Sequence, residues 1–352
     1  MKVGILTFHE ADNYGAVLQA FALQQILKKL GAESEFVCVE TEEVHAPETA
    51  SGPAALFMKR IKEEGAKRAL LFKQFRESNM ICSPRYKKEE LENIDEQYDL
   101  FIAGSDQIWN FRIPGADERY FLPFADPKKR FSYAASFGSD ELPEKAKPWC
   151  SKQLERFVRI SVREESGVRI VKDLTGRDAV VSLDPTLLLT KEEWERMISH
   201  DKSEERYMLL FMLKYDEELT LRAKKASEAA GVTLKVITAA FMPQFGFAPW
   251  SGVGVNDWIS LIAGAEGVFT NSFHGTVFSL LFGRPLSVSR LNGELSKRNG
   301  RIEELLKRVG LLSCFDGKLC SIEIGTFEEK IQGSREDSMK FLKDILNNAK
   351  TV

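Results

Sequence analysis

Cysteine is scarce in this chain of 352 residues: five, at positions 38, 82, 150, 314 and 320, with no CxxC pair. That scatter is neither a disulfide framework nor a zinc-finger pattern, and it makes a reducing cytoplasm the expected compartment. Long apolar runs are missing as well. None approaches the roughly 18–20 residues of a membrane span, and the opening "MKVGILTF" meets His9 and Glu10 too soon for a secretory segment. At most a peripheral contact at the inner face of a membrane is expected. There is no basic excess: 49 Lys and Arg face 52 Asp and Glu, a net charge of −3, so no nucleic-acid surface is expected. Nor does the chain carry a Walker loop, a GxGxxG fingerprint or a Gly-x-Ser-x-Gly elbow. "SGVGVND" (251–257) lacks the last glycine of a phosphate loop. Without Asp-x-Asp or a His/Cys/carboxylate cluster at ligand spacing, metal-free chemistry is the simpler expectation.

What the chain does have is alternation. Short apolar, β-branched runs at 2–8, 34–40, 98–104, 130–136, 159–164 and 178–184 read as strands. Helical periods fill 16–31, 53–77 and 144–158, and 41–53 reads as a loop. Thr190 and Glu193 form a capping box after Pro185. A second series follows, with strands at 207–213, 233–239, 267–270 and 285–289. Its helices lie at 216–230, 256–264, 275–282, 299–310 and about 325–349. This pattern predicts an α/β protein of two Rossmann-like domains, 1–184 and 185–334, with a terminal helix, 335–352, packing back on the first. Ligands of such sheets bind beyond the carboxyl ends of strands, so the expected site is a central cleft faced by both domains.

Several polar junctions fall at those strand ends. "TNSFHGTVFSLLFGRPL" (270–286) puts His274 where a strand meets a helix, with Gly275 allowing close approach to backbone. A helix N-terminus favours an anion such as phosphate, and an imidazole there can act as a general acid. The other reading of His274 is a helix cap or a packed side chain. "TFHEADNYGAVLQAF" (7–21) repeats the device in the first half. His9, Asp12, Asn13 and Gly15 could hold an acceptor, or simply build a turn in which Asn and Gly take left-handed backbone. In "IAGSDQIWN" (102–110), Asp106 could serve as a base towards a sugar hydroxyl, flanked by Ser105 and Gln107, or these residues could cap the next helix. Arg163 in "ISVREESGVRIV" (160–171) ends a strand, suited to a bidentate anion or to a surface salt bridge. Residues 283–308 hold seven basic residues against three acidic; the "SKRNGR" loop, with Lys297, Arg298 and Arg301, could close over an anion.

The run "VNDWISLIAGAEGVFTNSFHGTVFSLLFGRPL" (255–286) resembles the polysaccharide pyruvyl transferase family. So do "NYGAVLQAFALQQ" (13–25), "YDLFIAGSDQIWN" (98–110) and "SVREESGVRIV…SLDPTLLL" (161–189). The resemblance implies a fold like the B-type glycosyltransferases (GT-B). It also implies transfer of pyruvate from phosphoenolpyruvate to two hydroxyls of one sugar, giving a cyclic ketal and phosphate. The saccharide would belong to a polysaccharide or cell-envelope glycan precursor, free or lipid-linked, and no cofactor beyond the donor would be required. Carried over residue by residue, Arg163 and His274 would hold the donor, with Ser272, Phe273, Gly275 and Thr276 in the same block; His274 is expected to give the proton, and Asp106 or His9 is a candidate base. Some relatives carry Arg where this chain has Ser272, so Arg284, Arg290 or the 297–301 loop would have to supply that charge. The alternatives are a sugar-nucleotide glycosyltransferase or a family scaffold without activity. Many B-type enzymes bind ribose with a Glu five residues before the Gly of Gly-x-Pro; here that position is Phe278, which counts against a nucleotide.

Overall fold

A computed structural model describes residues 1–40, 53–113, 117–198, 205–238, 252–293, 296 and 299–349, with the side chains of 53–62 and 316 excepted. The chain divides into two units. One comprises Met1–Glu40, Asn79–Leu189 and Ile331–Val352; the other comprises Thr41–Ser78 and Thr190–Lys330. The sequence boundary puts 53–77 in the first half, whereas this helix groups with the second unit: Leu71 packs by Gly254, and Glu64 and Lys67 by Gly252.

The first unit holds a parallel sheet of β1 (Lys2–Leu6), β2 (Glu33–Val39), β3 (Cys82–Tyr86), β4 (Leu100–Ala103) and β5 (Arg130–Ser132), in the order β3-β2-β1-β4-β5. Its helices are α1 (Tyr14–Lys29), α3 (Lys147–Leu154) and α4 (Glu165–Thr175), with the part of α10 (Ile324–Asn348) from Ile331 onward. Near-continuous apolar strands suit a parallel sheet covered on both faces. α1 is buried on almost every side, which marks a core helix. Its buried Gln24 donates to the carbonyls of Ser34 and Ile81 and accepts from the Ile81 amide, all at 3.0 Å, tying α1 to β2 and to the approach to β3. β3 has no counterpart in the sequence reading, because "CSPRY" contains proline and few apolar residues. It lies at the sheet edge, where proline is tolerated.

The strand expected over 130–136 is regular only to Ser132. Ala134 turns left-handed (φ 48°), after which Ala135 bridges to Asp106 and Val162. β6 (Ser161–Val162) and β7 (Val180–Val181) pair beside it and are likewise shorter than expected. From α10, the Ser338 hydroxyl accepts from the Leu183 amide (3.0 Å), and Asp344 pairs with Arg159 (3.2 Å).

The second unit's parallel sheet contains β8 (Tyr207–Met212), β9 (Thr233–Thr238), β10 (Gly267–Thr270) and β11 (Leu286–Val288), ordered β11-β10-β8-β9. Around it lie α2 (Pro53–Asn79), α5 (Lys191–Glu195), α6 (Glu217–Ala230), α7 (Val255–Gly264), α8 (Phe273–Leu281) and α9 (Asn299–Val309). The predicted box opens α5, with Glu193 accepting from the Thr190 amide at 3.0 Å. α6 stops at left-handed Gly231. Trp194, Trp258 and Phe278 are fully buried and meet edge-on, with Phe278 4.9 Å from Trp194 and 5.3 Å from Trp258. Among the described residues no helix is long and apolar enough to cross a membrane.

Candidate active site

In each sheet the strand order reverses at one place, between β1 and β4 and between β8 and β10, where open α/β sheets bind ligands. Most of the residues singled out from sequence collect at these two places.

At the β10 end of the second sheet, Thr270 Oγ1 accepts from the Ser272 amide (3.0 Å), turning the chain out of the strand. Ser272 then caps α8, accepting from the Gly275 amide (3.3 Å), and the Thr276 hydroxyl returns to the Ser272 carbonyl (3.0 Å). These bonds fix His274 in the first turn of α8, 8% exposed, with the Phe273 ring edge-on to it at 5.1 Å. The Arg301 guanidinium lies over the Phe273 ring at 5.6 Å. Asn271, which sequence reading passed over, clamps the neighbouring strand exit. It accepts from the Leu213 amide (2.8 Å) and donates to the Lys214 carbonyl (2.7 Å). Its signal was the polar Asn-Ser pair ending an apolar strand.

Two expectations are corrected here. Gly275 does not make room for a ligand: a Cβ there would stand 2.5 Å from Thr270 Oγ1 and 3.0 Å from the Phe211 ring, so the glycine serves close packing of helix on sheet. Arg284 is at the wrong end. It follows α8 and precedes β11, about one helix length (~13 Å) from the first turn, and so cannot face His274's end of the sheet. Arg290 does lie beyond the carboxyl end of β11, paired with Glu303 (3.0 Å) and stacked on Phe315 (4.0 Å). Lys297 and Arg298 fall outside the described residues.

In the first unit, past the ends of β4 and β6, lies a buried polar network centred on Arg163, which belongs to a different unit from His274. Its guanidinium reaches Asp184 at 2.7 Å, Asp106 at 3.5 Å and Glu164 at 4.0 Å, with its side chain only 2% exposed. Burial would lower its proton affinity, but the three carboxylates outweigh burial and raise it. Asp184, fully enclosed, also accepts from the Thr186 amide (3.0 Å) and hydroxyl (2.7 Å) and from the Ser105 hydroxyl (3.3 Å). Glu164 accepts from the Ser136 hydroxyl at 2.6 Å. Arg163 is therefore not a surface salt bridge, and an anionic donor approaching it would meet three carboxylates. Neither Asp184 nor Glu164 stood out in the sequence as a partner, since the contacts are made only in three dimensions.

Asp106 adopts left-handed backbone (φ 72°), uncommon for a residue with a side chain. Its carboxylate accepts from the Gln107 amide (2.8 Å) and keeps part of its surface open. No helix follows, so Ser105 is no cap; its carbonyl instead accepts from Thr7 Oγ1 (2.7 Å). Gln107 is spent on Asn110 (2.8 Å). In the α1 junction Asp12 and Asn13 are exposed, and Asn13 caps the helix through Ala16 (3.2 Å). Asn13 is extended and Gly15 helical, so this turn does not use the left-handed backbone expected of it. His9 points inward. It is 4% exposed, stacked on Phe36 at 4.7 Å, with Nδ1 3.1 Å from the Thr7 carbonyl and Nε2 3.3 Å from Cys38 Sγ.

Two Rossmann-like units in one chain, each with a polar junction at its switch point, define a fold of the GT-B type. Solved structures bear this out. The UDP-GlcNAc 2-epimerase of Methanocaldococcus jannaschii is 11% identical, with a TM-score of 0.52 covering 94% of this chain and 92% of its own. The putative UDP-N-acetylglucosamine 2-epimerase of Listeria monocytogenes is 11% identical, with a TM-score of 0.51 and coverages of 96% and 90%. An α-glucosyltransferase in complex with UDP and a 13-mer DNA is 10% identical, with a TM-score of 0.50 and coverages of 99% and 99%. At such identities the likeness is one of fold. Comparison with curated proteins gives no sequence match. Residues 13–288 match the polysaccharide pyruvyl transferase family, and the chain belongs to that family, whose members are transferases.

Proposed function

We propose that this protein moves the pyruvyl group of phosphoenolpyruvate onto two hydroxyls of a saccharide, forming a cyclic ketal and releasing phosphate. The observation that carries the reading is His274 in the first turn of α8, at the switch point of the second sheet. Phosphoenolpyruvate bears a carboxylate and a phosphate close together. The amide hydrogens of a helix start suit such an anion. Arg301, with Lys297 and Arg298 near it in sequence, supplies compensating charge.

His274 gives a proton either to the methylene carbon of the donor or to the departing phosphate oxygen. Protonation at carbon consumes the double-bond electron pair and leaves a cationic centre at C2. The first sugar hydroxyl adds there and loses its proton. The C2–O bond to phosphate then breaks, phosphate leaves with the electron pair, and the second hydroxyl closes the ring. Asp106, with part of its carboxylate open, is the candidate base, and exposed Asp12 and Asn13 are candidates for holding the saccharide. His9, turned into the core, is withdrawn from both roles. No metal enters these steps. The sugar-nucleotide reading is disfavoured because Phe278 sits between two tryptophans, leaving no acid at that position to hold a ribose.

The test is incubation with phosphoenolpyruvate and a panel of glycan acceptors, following phosphate and acceptor mass together. Phosphate release matched by a pyruvyl mass gain supports the proposal. Stabilisation by UDP or GDP but not by phosphoenolpyruvate overturns it.

A further inference from the structure

The first sheet draws together three side chains that the sequence keeps far apart: His9 at the exit of β1, Cys38 on β2 and Cys82 on β3. Their donor atoms all lie within 4.8 Å of one another. We propose that His9, Cys38 and Cys82 form a binding site for a borderline-soft divalent cation of the zinc class, with water as the fourth ligand.

The geometry of His9 points this way. The Thr7 carbonyl 3.1 Å from Nδ1 can only accept a hydrogen bond, so Nδ1 must carry the proton. In the neutral ring Nε2 then carries the lone pair, 3.3 Å from Cys38 Sγ. A carbonyl that fixes the tautomer and ring orientation is the usual support behind a metal-bound histidine. Stacking on Phe36 holds the ring further. In a tetrahedral zinc site, bonds of about 2.3 Å to sulfur and about 2.0–2.1 Å to nitrogen put neighbouring donors about 3.5 Å apart. The observed Nε2–Sγ separation is close to that value. Cys82 is exposed, whereas Cys38 and His9 are buried. The Cys82 sulfur, within 4.8 Å of both other donors, completes the set, and its exposure gives the ion an entry path and solvent a coordination place. Two soft thiolates and an imidazole suit zinc and disfavour magnesium or calcium. Binding replaces two S–H protons by two metal–sulfur bonds and releases those protons to solvent. The bound ion would fasten edge strand β3 to β2 and to the exit of β1.

Cobalt(II) is the probe, titrated into the full chain under a non-thiol reductant. The expected result is one equivalent bound, with a thiolate-to-cobalt charge-transfer band and the intense visible bands of tetrahedral cobalt, both bleached by zinc. Cys82→Ser should lower the charge-transfer band, to which Cys38 also contributes, and weaken cobalt binding at least tenfold, while Cys320→Ser leaves both unchanged. Zinc should raise the melting temperature of the parent and not that of Cys82→Ser, a readout independent of cobalt. No thiolate band, or a band and affinity undiminished in Cys82→Ser, overturns the proposal.

Discussion

Replacing Gly275 by alanine tests whether the His274 junction is built by packing. The added Cβ would stand 2.5 Å from Thr270 Oγ1, 3.0 Å from a Phe211 ring carbon and 3.2 Å from Thr270 Cβ. Thr270 is fully buried and bonded to the Ser272 amide, and Phe211 lies 5.2 Å from Trp258, so neither can yield without disturbing its own partners. Overpacking of this kind costs about 1–3 kcal/mol. For 150–250 cooperatively unfolding residues that is a fall of roughly 2–12 °C in melting temperature. The decisive measurement is a double-mutant cycle with Thr270→Ala, which alone loses a buried hydrogen bond but removes the nearest obstructing atom. The double variant should be more stable than the sum of the two single losses by about 1 kcal/mol. Strict additivity would refute the argument. So would a Gly275→Ala protein of unchanged stability that loses only donor affinity, because the glycine would then be serving a ligand.

His274→Gln should lower phosphate release by about 10²–10⁴-fold, the usual worth of a positioned proton donor, with the circular dichroism of the parent; equal rates would remove the imidazole from the chemistry. Asp184→Ala should destabilise the first unit by about 3–5 kcal/mol in denaturant unfolding, since it removes the nearest partner of a buried guanidinium. Arg163→Lys should lower stability in the same denaturant unfolding, because a compact ammonium lacks the fork that meets three carboxylates at once. Phe278→Ala should cost about 3–5 kcal/mol by opening a cavity between Trp194 and Trp258. Stability should fall as the pH rises from about 9 to about 12. Burial pushes both the Cys150 thiol and the Tyr120 phenol up to about 12, from 9.0 and 10.0, so the unfolded chain loses these protons first. A flat denaturation midpoint across that window would contradict this.

What was legible in the sequence follows from how the information is stored. Apolar strands such as "KVGILTF" and "VFT" announce themselves because both faces are buried, and the Thr190–Glu193 box announces the start of α5. β3 does not, since an edge strand needs backbone pairing on one side only and can carry Pro84 and exposed polar residues. The location of the candidate site was equally legible. His274 lies at a strand-to-helix junction, and so does the Asn13–Tyr14 turn, because that junction is a matter of local order. Charge balance was not. Arg163 reads as an anion ligand or a surface salt bridge until Asp106 and Asp184 fold against it from opposite sides in sequence.

The two switch points share a local plan and differ in what surrounds them, which is why one motif reading cannot serve both. At β10 the polar atoms of Thr270, Ser272 and Thr276 are used to set the helix; Arg301 lies over the Phe273 ring, and Arg290, at the exit of β11, is balanced by Glu303. At β4 the hydroxyls of Ser105 and Thr186 serve Asp184, and one guanidinium is set among three acids. An anion is therefore better accommodated at the first place, and neutral hydroxyl groups, which acidic side chains accept from, at the second. On the proposed reading, a donor with two anionic groups suits the first place and the hydroxyls of an acceptor suit the second. Exchanging the charge at the first place supplies the check: Arg301→Glu should weaken phosphoenolpyruvate binding by about tenfold or more, read by the loss of thermal stabilisation, because a nearby like charge replaces an opposite one. Retention of full donor affinity in Arg301→Glu would mean that the anion is held elsewhere, and the division of labour would have to be reversed.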